Sequence, residues 1–171
     1  MLQTESFQES VSVELKQWKH TFCSHIHGVY WKKLQELIGV SFAAGFSEID
    51  MSGRVVRGMV DQPPMVPFSC IRFDDAIEDY GPTMGRYSGN AIFEIYCFIG
   101  GSSFQERSDQ ALNLSSDIIS AITANRSLAL PSEVDDVKCD FTAIDGDKVG
   151  LNNIGIGYIR VTVKFQSDNG V

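Results

Sequence analysis

Hydrophobic residues in the first third of the chain recur at helical spacing. Between about Phe7 and Ile38 an apolar residue follows every three or four positions, and turn-forming residues are few. This amphipathic pattern predicts helix, with a break allowed at Gly28. The next stretch, Gly39–Gly53, mixes small and apolar residues without a clean period, so no element is assigned to it.

Beyond this stretch the pattern changes to the short extended runs that are typical of strands. The run Arg54–Val60 ends at a segment with three prolines, which cannot donate ladder hydrogen bonds. A new strand is expected at Phe68–Phe73. The acidic, glycine-containing stretch Asp74–Gly89 is interpreted as a long hairpin arm with a mobile tip.

The run Ala91–Ile99 is apolar on both alternating faces except at Glu94. This pattern predicts a central strand that is covered on both sides. The next segment of the chain predicts a helix that could cover one side. Ser103 and Glu106 have the spacing of a capping box, and an apolar stripe then continues to about Asn125. We expect this second helix to lie on the sheet.

Two further strands are predicted in the last third of the chain. Val137–Ile144 alternates weakly, whereas Ile154–Phe165 alternates clearly and should be a half-buried antiparallel strand. Its inward positions are Ile159, Val161, Val163 and Phe165. The resulting fold class is α+β, with a mixed, mainly antiparallel sheet that carries a long hairpin arm and is packed by helices. At this length we expect one domain over residues 1–171, with a helical amino-terminal region (1–50) and a sheet plus one helix (51–166).

The net negative charge of the chain limits which classes of binding partner are expected. The chain has 14 Lys and Arg residues against 22 Asp and Glu, a formal charge of -8, and its longest basic run is Lys32–Lys33. Binding to a phosphate backbone would require clustered basic residues, so specific nucleic-acid binding is not expected. The sequence contains no apolar run near the length of a membrane span, and membrane association is not predicted either.

Candidate chemistry is sparse. His20, Cys23, His25 and His27 form the one cluster with metal-like spacing, but apolar neighbours share its face and histidines without metal are the favoured interpretation. The acidic group Asp74, Asp75, Glu78 and Asp79 is interpreted as a solvated face rather than as paired catalytic carboxylates. We therefore assign no catalytic, cofactor-binding or metal-binding residues and expect a protein that is not an enzyme. A metal-binding enzyme or ligand-binding module remains the alternative of another class.

The cysteines indicate a reducing compartment. They are far apart in the sequence, three lie within apolar segments, and such placement is typical of buried free thiols. The four positions are Cys23, Cys70, Cys97 and Cys139.

The order of elements from about Arg54 to Phe165 resembles that of the bacteriophage tail terminator or tail-completion proteins, a family that includes the minor tail protein U of lambda-like phages. The resemblance is one of pattern and order over roughly two-thirds of the chain. Residues 1–50 depart from it, since they are longer and richer in aromatics than the short leading helix expected in the family. The matching order is a strand with prolines (Val55–Pro67), an aromatic-apolar strand (Phe68–Phe73), an acidic arm (Asp74–Gly89), a strand (Ile92–Phe98), a helix with Ala111–Ile122, and two final strands.

This resemblance implies a structural virion protein that forms a hexameric ring at the head-proximal end of a phage tail. Such a ring ends the growth of the tail tube and joins the tail to the neck. The implied partners are further copies of the chain, the tail tube protein, a neck or connector protein and, if the tail is contractile, the sheath protein. DNA would pass through the lumen without specific binding, because an acidic wall does not adhere to it. The expected location is the virion, after assembly in the bacterial host cytoplasm.

The arm is the segment best suited to reach a neighbouring subunit or the tube. The residues assigned to this contact are Asp79, Tyr80, Thr83, Met84 and Arg86. A head-tail connector or stopper, or a tail tube protein of the neck region, is the alternative within the same class. The pattern of hydrophobic positions does not separate these roles.

Overall fold

We analysed a computed structural model of the chain, which describes residues 28–45, 47–79, 86–145, 151 and 153–168. Within these ranges the side chains of 76–79, 86–87, 143–145 and 167–168 are not described. The described part contains two helices and one five-stranded sheet, which confirms the predicted α+β class. Its elements are α1 (28–39), β1 (Val55–Arg57), β2 (Phe68–Asp79), β3 (Arg86–Gly100), α2 (Phe104–Thr123), β4 (Val134–Asp145) and β5 (Ile154–Asp168).

The sheet has the spatial order β1-β2-β3-β5-β4. Strand β1 is parallel to β2, and every other neighbouring pair is antiparallel. Strand β3 lies in the centre, as its two-sided apolar pattern predicts, and it pairs with β2 on one side and with β5 along its whole length on the other. Residues of the predicted arm continue this ladder as far as Asp79 on β2 and from Arg86 on β3.

Both helices pack on one face of the sheet and form the main core with it. Strand β5 contributes the four side chains predicted to face inward, and the alternation in this strand is therefore confirmed. Each large apolar side chain buried in this way contributes about 1.5–3 kcal/mol to the free energy of unfolding. The helix residues at the centre of this core are Tyr30, Leu34 and Ile38 from α1 and Ala111, Leu114, Ile118 and Ile122 from α2.

Helix α2 begins where the capping signal predicts. Ser103 is the N-cap, and its hydroxyl accepts a hydrogen bond from the Glu106 N–H at 3.1 Å. The Glu106 carboxylate then accepts the Ser102 N–H and hydroxyl at 2.9 and 2.6 Å, one residue before the position that a standard capping box would use. These bonds satisfy backbone donors that the first helical turn leaves open.

Two glycines of β5 let α2 lie directly on this strand. A Cβ atom at Gly155 would lie 2.5 Å from the Arg107 carbonyl oxygen, and one at Gly157 would lie 3.1 Å from the Ala111 carbonyl oxygen. Real Cβ atoms essentially never come within 3.0 Å of such atoms, so a larger residue at Gly155 would push the helix backbone outward, and one at Gly157 would first displace the Ser115 hydroxyl. The missing side chains therefore set the distance between helix and sheet.

Helix α1 covers the β1 edge of the sheet. The Gln35 amide donates a hydrogen bond to the Val55 carbonyl oxygen at 2.8 Å. The guanidinium carbon of Arg57 lies 5.7 Å from the centroid of the Trp31 ring, within the range of a cation–π contact. A backbone acceptor of the short edge strand is thus occupied by the helix.

Replacing Gly155 by alanine should destabilise the fold by about 1–3 kcal/mol, because the added methyl group overlaps the backbone of α2 at Arg107. Chemical denaturation followed by circular dichroism measures the change. Gly39→Ala is the matched control, since a Cβ at Gly39 would meet no atom within 4 Å. Equal stability of Gly155→Ala and wild type would show that the helix and strand are not in the close contact described.

Candidate functional site

The sheet face opposite the helices carries a row of charged residues across four strands. Arg72 on β2 is paired with Glu94 on β3, Glu94 with Arg160 on β5, and Arg160 with Asp140 on β4. Successive charges in this row have opposite sign, which is the favourable arrangement for directly opposed cross-strand neighbours. We call Arg72, Glu94, Tyr96, Tyr158 and Arg160 the Glu94 cluster.

Glu94 is the centre of this cluster. Its Oε2 atom accepts hydrogen bonds from Arg72 Nε at 2.8 Å and from the Tyr96 hydroxyl at 3.0 Å, while Oε1 accepts one from the Tyr158 hydroxyl at 2.9 Å. Arg72 also contacts Oε2 through Nη2. The residue is only 8% exposed, so its negative charge is compensated by directed donors rather than by bulk water.

These contacts fix the protonation states in the cluster. Burial alone would raise the pKa of Glu94, but the hydrogen bonds from Tyr158, Tyr96 and Arg72 outweigh it, and the pKa lies below its ordinary value. Burial and the hydrogen bond to Glu94 raise the pKa of Tyr96 to about 12 and also raise that of Tyr158. The carboxylate is therefore ionised and both phenols are neutral at physiological pH.

Asp74 extends the cluster on its exposed side. Its two carboxylate oxygens lie 3.8 Å from Arg72 Nη2 and 3.8 Å from Arg160 Nη2, so it sits between two guanidinium groups. The side chains of Arg72 and Arg160 are both 46% exposed. The rings of Tyr96 and Tyr158 are adjacent, with centroids 5.2 Å apart. The cluster thus presents arginine and tyrosine to solvent over a buried carboxylate.

This arrangement favours recognition over proton transfer. A general base requires a pKa near the working pH and a free lone pair directed at a substrate. The pKa of Glu94 is lowered, and both of its oxygens already accept hydrogen bonds. Half-exposed arginines beside partly buried tyrosines are instead residue types that are enriched in protein interfaces.

One end of the same face is apolar. Phe68, Cys70, Phe98 and Ile156 form a small second core there, with Val56, Val60, Tyr96, Leu151 and Ile154 packed against it. The Phe68 and Phe98 rings are 6.4 Å apart. This second core anchors the segment between β1 and β2 to the sheet and leaves the Glu94 cluster beside it open.

The described cysteines are structural. Burial raises the pKa of the Cys97 thiol to about 12, and it also raises the pKa of Cys70. Burial, and to a smaller extent the negative charge of Asp140, raises the pKa of Cys139 to about 11. All three thiols are free and are protonated at physiological pH, which makes them poor nucleophiles.

A polar cleft of about 750 Å³ lies between the segment after α1 and the side of α2 away from β4. Its charged lining residues are Glu48 and Asp117, and Ser47, Gln110, Asn113 and Ser116 supply hydroxyl and amide groups. Within the described ranges no group of three or more His, Cys, Asp or Glu residues is placed to hold a metal ion. Neither described helix has the length and apolarity needed to cross a membrane.

The residues assigned to subunit contact from the sequence fall at the far end of the β2–β3 pair. Asp79 ends β2 and Arg86 begins β3. Their backbones are paired with Ser88 and Asp168, respectively. Tyr80, Thr83 and Met84 lie outside the described residues, as do His20, Cys23, His25 and His27.

Sequence analysis identified Glu94 as an exception in an apolar run but did not find its partners. Tyr158 is 64 positions away along the chain and Arg72 is 22 positions away, so only the strand order brings them together. The signal available in the sequence was the single acid inside a strand predicted to be buried on both faces. A buried carboxylate requires hydrogen-bond donors, so the sequence predicts that Glu94 has such partners but does not identify them.

Glu94→Gln should lower the free energy of unfolding by about 1–2 kcal/mol at pH 7, because the amide keeps the shape but loses the charge-assisted bond to Arg72. The pKa of Glu94 is lower in the folded state, so its stabilising effect is present above the ordinary glutamate pKa and is lost as the pH falls through the folded value. Urea denaturation from pH 7 to pH 3 should show the two proteins converging at the acid end. The exposed residue Glu48, replaced by glutamine, controls for loss of one negative charge. A difference that stays constant with pH would contradict the assigned ionisation.

Comparison with known proteins finds similarity at the level of solved structures. The sequence matches no protein-family model and no curated protein. Among solved structures, a chain described as the virion of a native gene transfer agent particle superposes with a TM-score of 0.46 and 7% sequence identity. The superposition covers 78% of this chain and 94% of that chain. At this level of similarity the superposition assigns no family to the protein.

Proposed function

We propose that the protein is a structural component of a phage-type virion that forms a ring at the head-proximal end of the tail, ends the growth of the tail tube and joins the tail to the neck. The proposal starts from the order of elements that resembles tail terminator proteins. It is supported by the observed order of strand, proline segment, two long strands, helix and two strands, which is the order that the resemblance requires.

The observation that carries the proposal is the length of the β2–β3 pair. The last main-core residue of β5 at this end is Phe165, which is paired with Gly89, whereas the β3–β5 ladder continues to the pair Arg86 and Asp168. The three residue pairs beyond Phe165 extend the sheet by about 10 Å, at about 3.3 Å per residue. Ordering the backbone of this extension costs conformational entropy. Contact with another subunit or with the tail tube would offset that cost.

Support for a role without catalysis comes from the protonation states already described. Glu94 is saturated with donors, and the thiols of Cys70, Cys97 and Cys139 have raised pKa values. The overall charge of -8 is compatible with a lumen through which DNA slides without adhesion. On this proposal the partners are identical subunits, the tail tube protein and a neck protein, and no cofactor is involved.

The direct experiment combines electron microscopy with a gene deletion. Purified protein, alone or mixed with isolated tail tubes, should form six-fold rings with an open centre, and particles made without the gene should contain tubes of irregular length that are not joined to heads. Tubes of normal length joined to heads in the absence of the protein would exclude the terminator role.

We expect that deletion of Glu78–Arg86 leaves a folded protein that no longer assembles, because the sequence predicts an arm here that contributes little to the core. Circular dichroism and thermal unfolding test the fold, and binding to tail tubes tests assembly. Replacing residues 80–85 with six glycine and serine residues is the matched control for length. It keeps the reach of the arm but removes Tyr80, Thr83 and Met84, so it separates their side chains from the projection itself. Normal assembly of the deletion variant would refute the role of the arm.

A further inference from the structure

Strand β4 is the outermost strand on one side of the sheet, and within the described residues no element pairs with its outer edge. The edge runs from Val134 to Asp145 and is regular after the irregularity between Val134 and Asp136. A long open edge offers unpaired N–H and C=O groups to any strand that can align with it. The opposite edge differs, since α1 occupies a backbone acceptor of β1 through Gln35.

The sequence of this edge is self-complementary about Cys139. On one side of Cys139 lie Lys138 and then Val137, and on the other side lie Asp140 and then Phe141. If two copies of the strand run antiparallel with Cys139 opposite Cys139, each Lys138 faces Asp140 of the second copy and each Val137 faces Phe141 of the second copy. Opposite charges and apolar pairs are the favourable cross-strand combinations.

Neighbouring registers are unfavourable. Centring the pair on Lys138 would oppose two lysines and would place Asp136 opposite Asp140, and centring it on Asp140 would oppose two aspartates. The Cys139-centred register also keeps faces matched, because alternate residues point to opposite sides of a sheet. Lys138 and Asp140 both lie on the open face, and Val137 and Phe141 both lie on the helix face.

An exposed apolar strip lies beside the same edge. Phe141 is 36% exposed and Leu112 is 40% exposed. Helical geometry places Leu112 on the same side of α2 as Ile119, which packs beside the main core together with Cys139 of β4. The other side of α2 lines the polar cleft through Gln110 and Asp117. The apolar side of α2 is therefore the side next to the open edge.

The dimensions suit a second copy. Joining two β4 edges places the two β5 strands three strand spacings apart, about 14 Å. Because α2 lies over Gly155 and Gly157 of β5, the two α2 helices would be separated by a similar distance. Helices in direct contact are about 8–10 Å apart, so the remaining gap of about 4–6 Å is of a size that Leu112 and Phe141 from both copies fill.

We propose that the free protein forms a symmetric dimer in which two β4 strands pair antiparallel about Cys139, with Lys138 bound to Asp140 of the second copy. The β2 edge beyond its pairing with β1 is not a comparable site. It carries Asp74, Asp75, Glu78 and Asp79 against the single basic residue Arg72, so that pairing it with itself would bring like charges together. The proposed dimer does not rest on the proposed ring.

The test is a charge-swap series measured by light scattering and sedimentation over a range of protein concentrations. Lys138→Asp and Asp140→Lys should each weaken dimerisation at least about tenfold, since each places two like-charge contacts in the interface. The double variant Lys138→Asp/Asp140→Lys should restore dimerisation. Lys32→Asp on α1 and Asp61→Lys in the segment between β1 and β2 make the same charge changes away from the edge and should dimerise like wild type.

Cross-linking tests the register. Lys138→Cys and Asp140→Cys, each in a Cys139→Ser background, should form a disulfide-linked dimer when the two proteins are mixed under mild oxidation, because position 138 of one copy faces position 140 of the other. Neither protein should do so alone. A monomer at all concentrations, single charge variants that dimerise normally, a double variant that is not rescued, or equal disulfide formation by one cysteine variant alone would each overturn the proposal. Thermal unfolding shows whether each variant is folded. A six-fold ring that is unaffected by the Lys138 and Asp140 substitutions would overturn the dimer and leave the proposed ring intact. A dimer in a protein that never binds tail tubes would support the dimer and contradict the proposed ring.

Discussion

The contact between α2 and β5 sets the geometry on which the remaining structure depends. Glycines at 155 and 157 allow the helix backbone to approach the strand, and the apolar stripe of α2 then reaches the side chains of β3, β4 and β5. If the helix stood farther from the sheet, the fully buried residues Leu114, Ile118 and Ile122 would lose contacts on one side. Dispersion contacts of this kind fall steeply with distance, so the core tolerates little displacement.

Both described helices lie on one face of the sheet. The apolar side chains of the other face are therefore shielded by described residues outside the helices. Side chains from the segment after β1 and from the region before β5 shield its apolar end, and the Glu94 cluster occupies its centre. A buried carboxylate in the central strand is tolerated because three donors from two neighbouring strands and its own strand compensate the charge. The same donors leave Glu94 unsuited to acid-base chemistry. The face that results is rigid, polar and open.

The two lateral edges of the sheet have different physical character. Helix α1 covers part of the β1 edge through Gln35 and Trp31, whereas no element of the described ranges pairs with the outer edge of β4, beside which lies an apolar strip. The β2–β3 pair continues beyond Phe165, the last main-core residue of β5. On the proposals made above these features serve assembly with other chains, since each of them is an extended surface and not an enclosed pocket.

By itself, the sequence determined the elements and their faces. Alternation in Ile154–Phe165 and the stripe of α2 identified the buried side chains because burial imposes periods of two and of about 3.6 residues on the chain. It did not determine the strand order, and therefore it could not bring Arg72, Tyr158 and Arg160 to Glu94 or show that β4 lies at an edge. Periodicity reports which side of an element is covered, whereas the identity of the covering or pairing neighbour depends on contacts between residues far apart in the chain. Those contacts form only when the strands have assembled on both sides of β3.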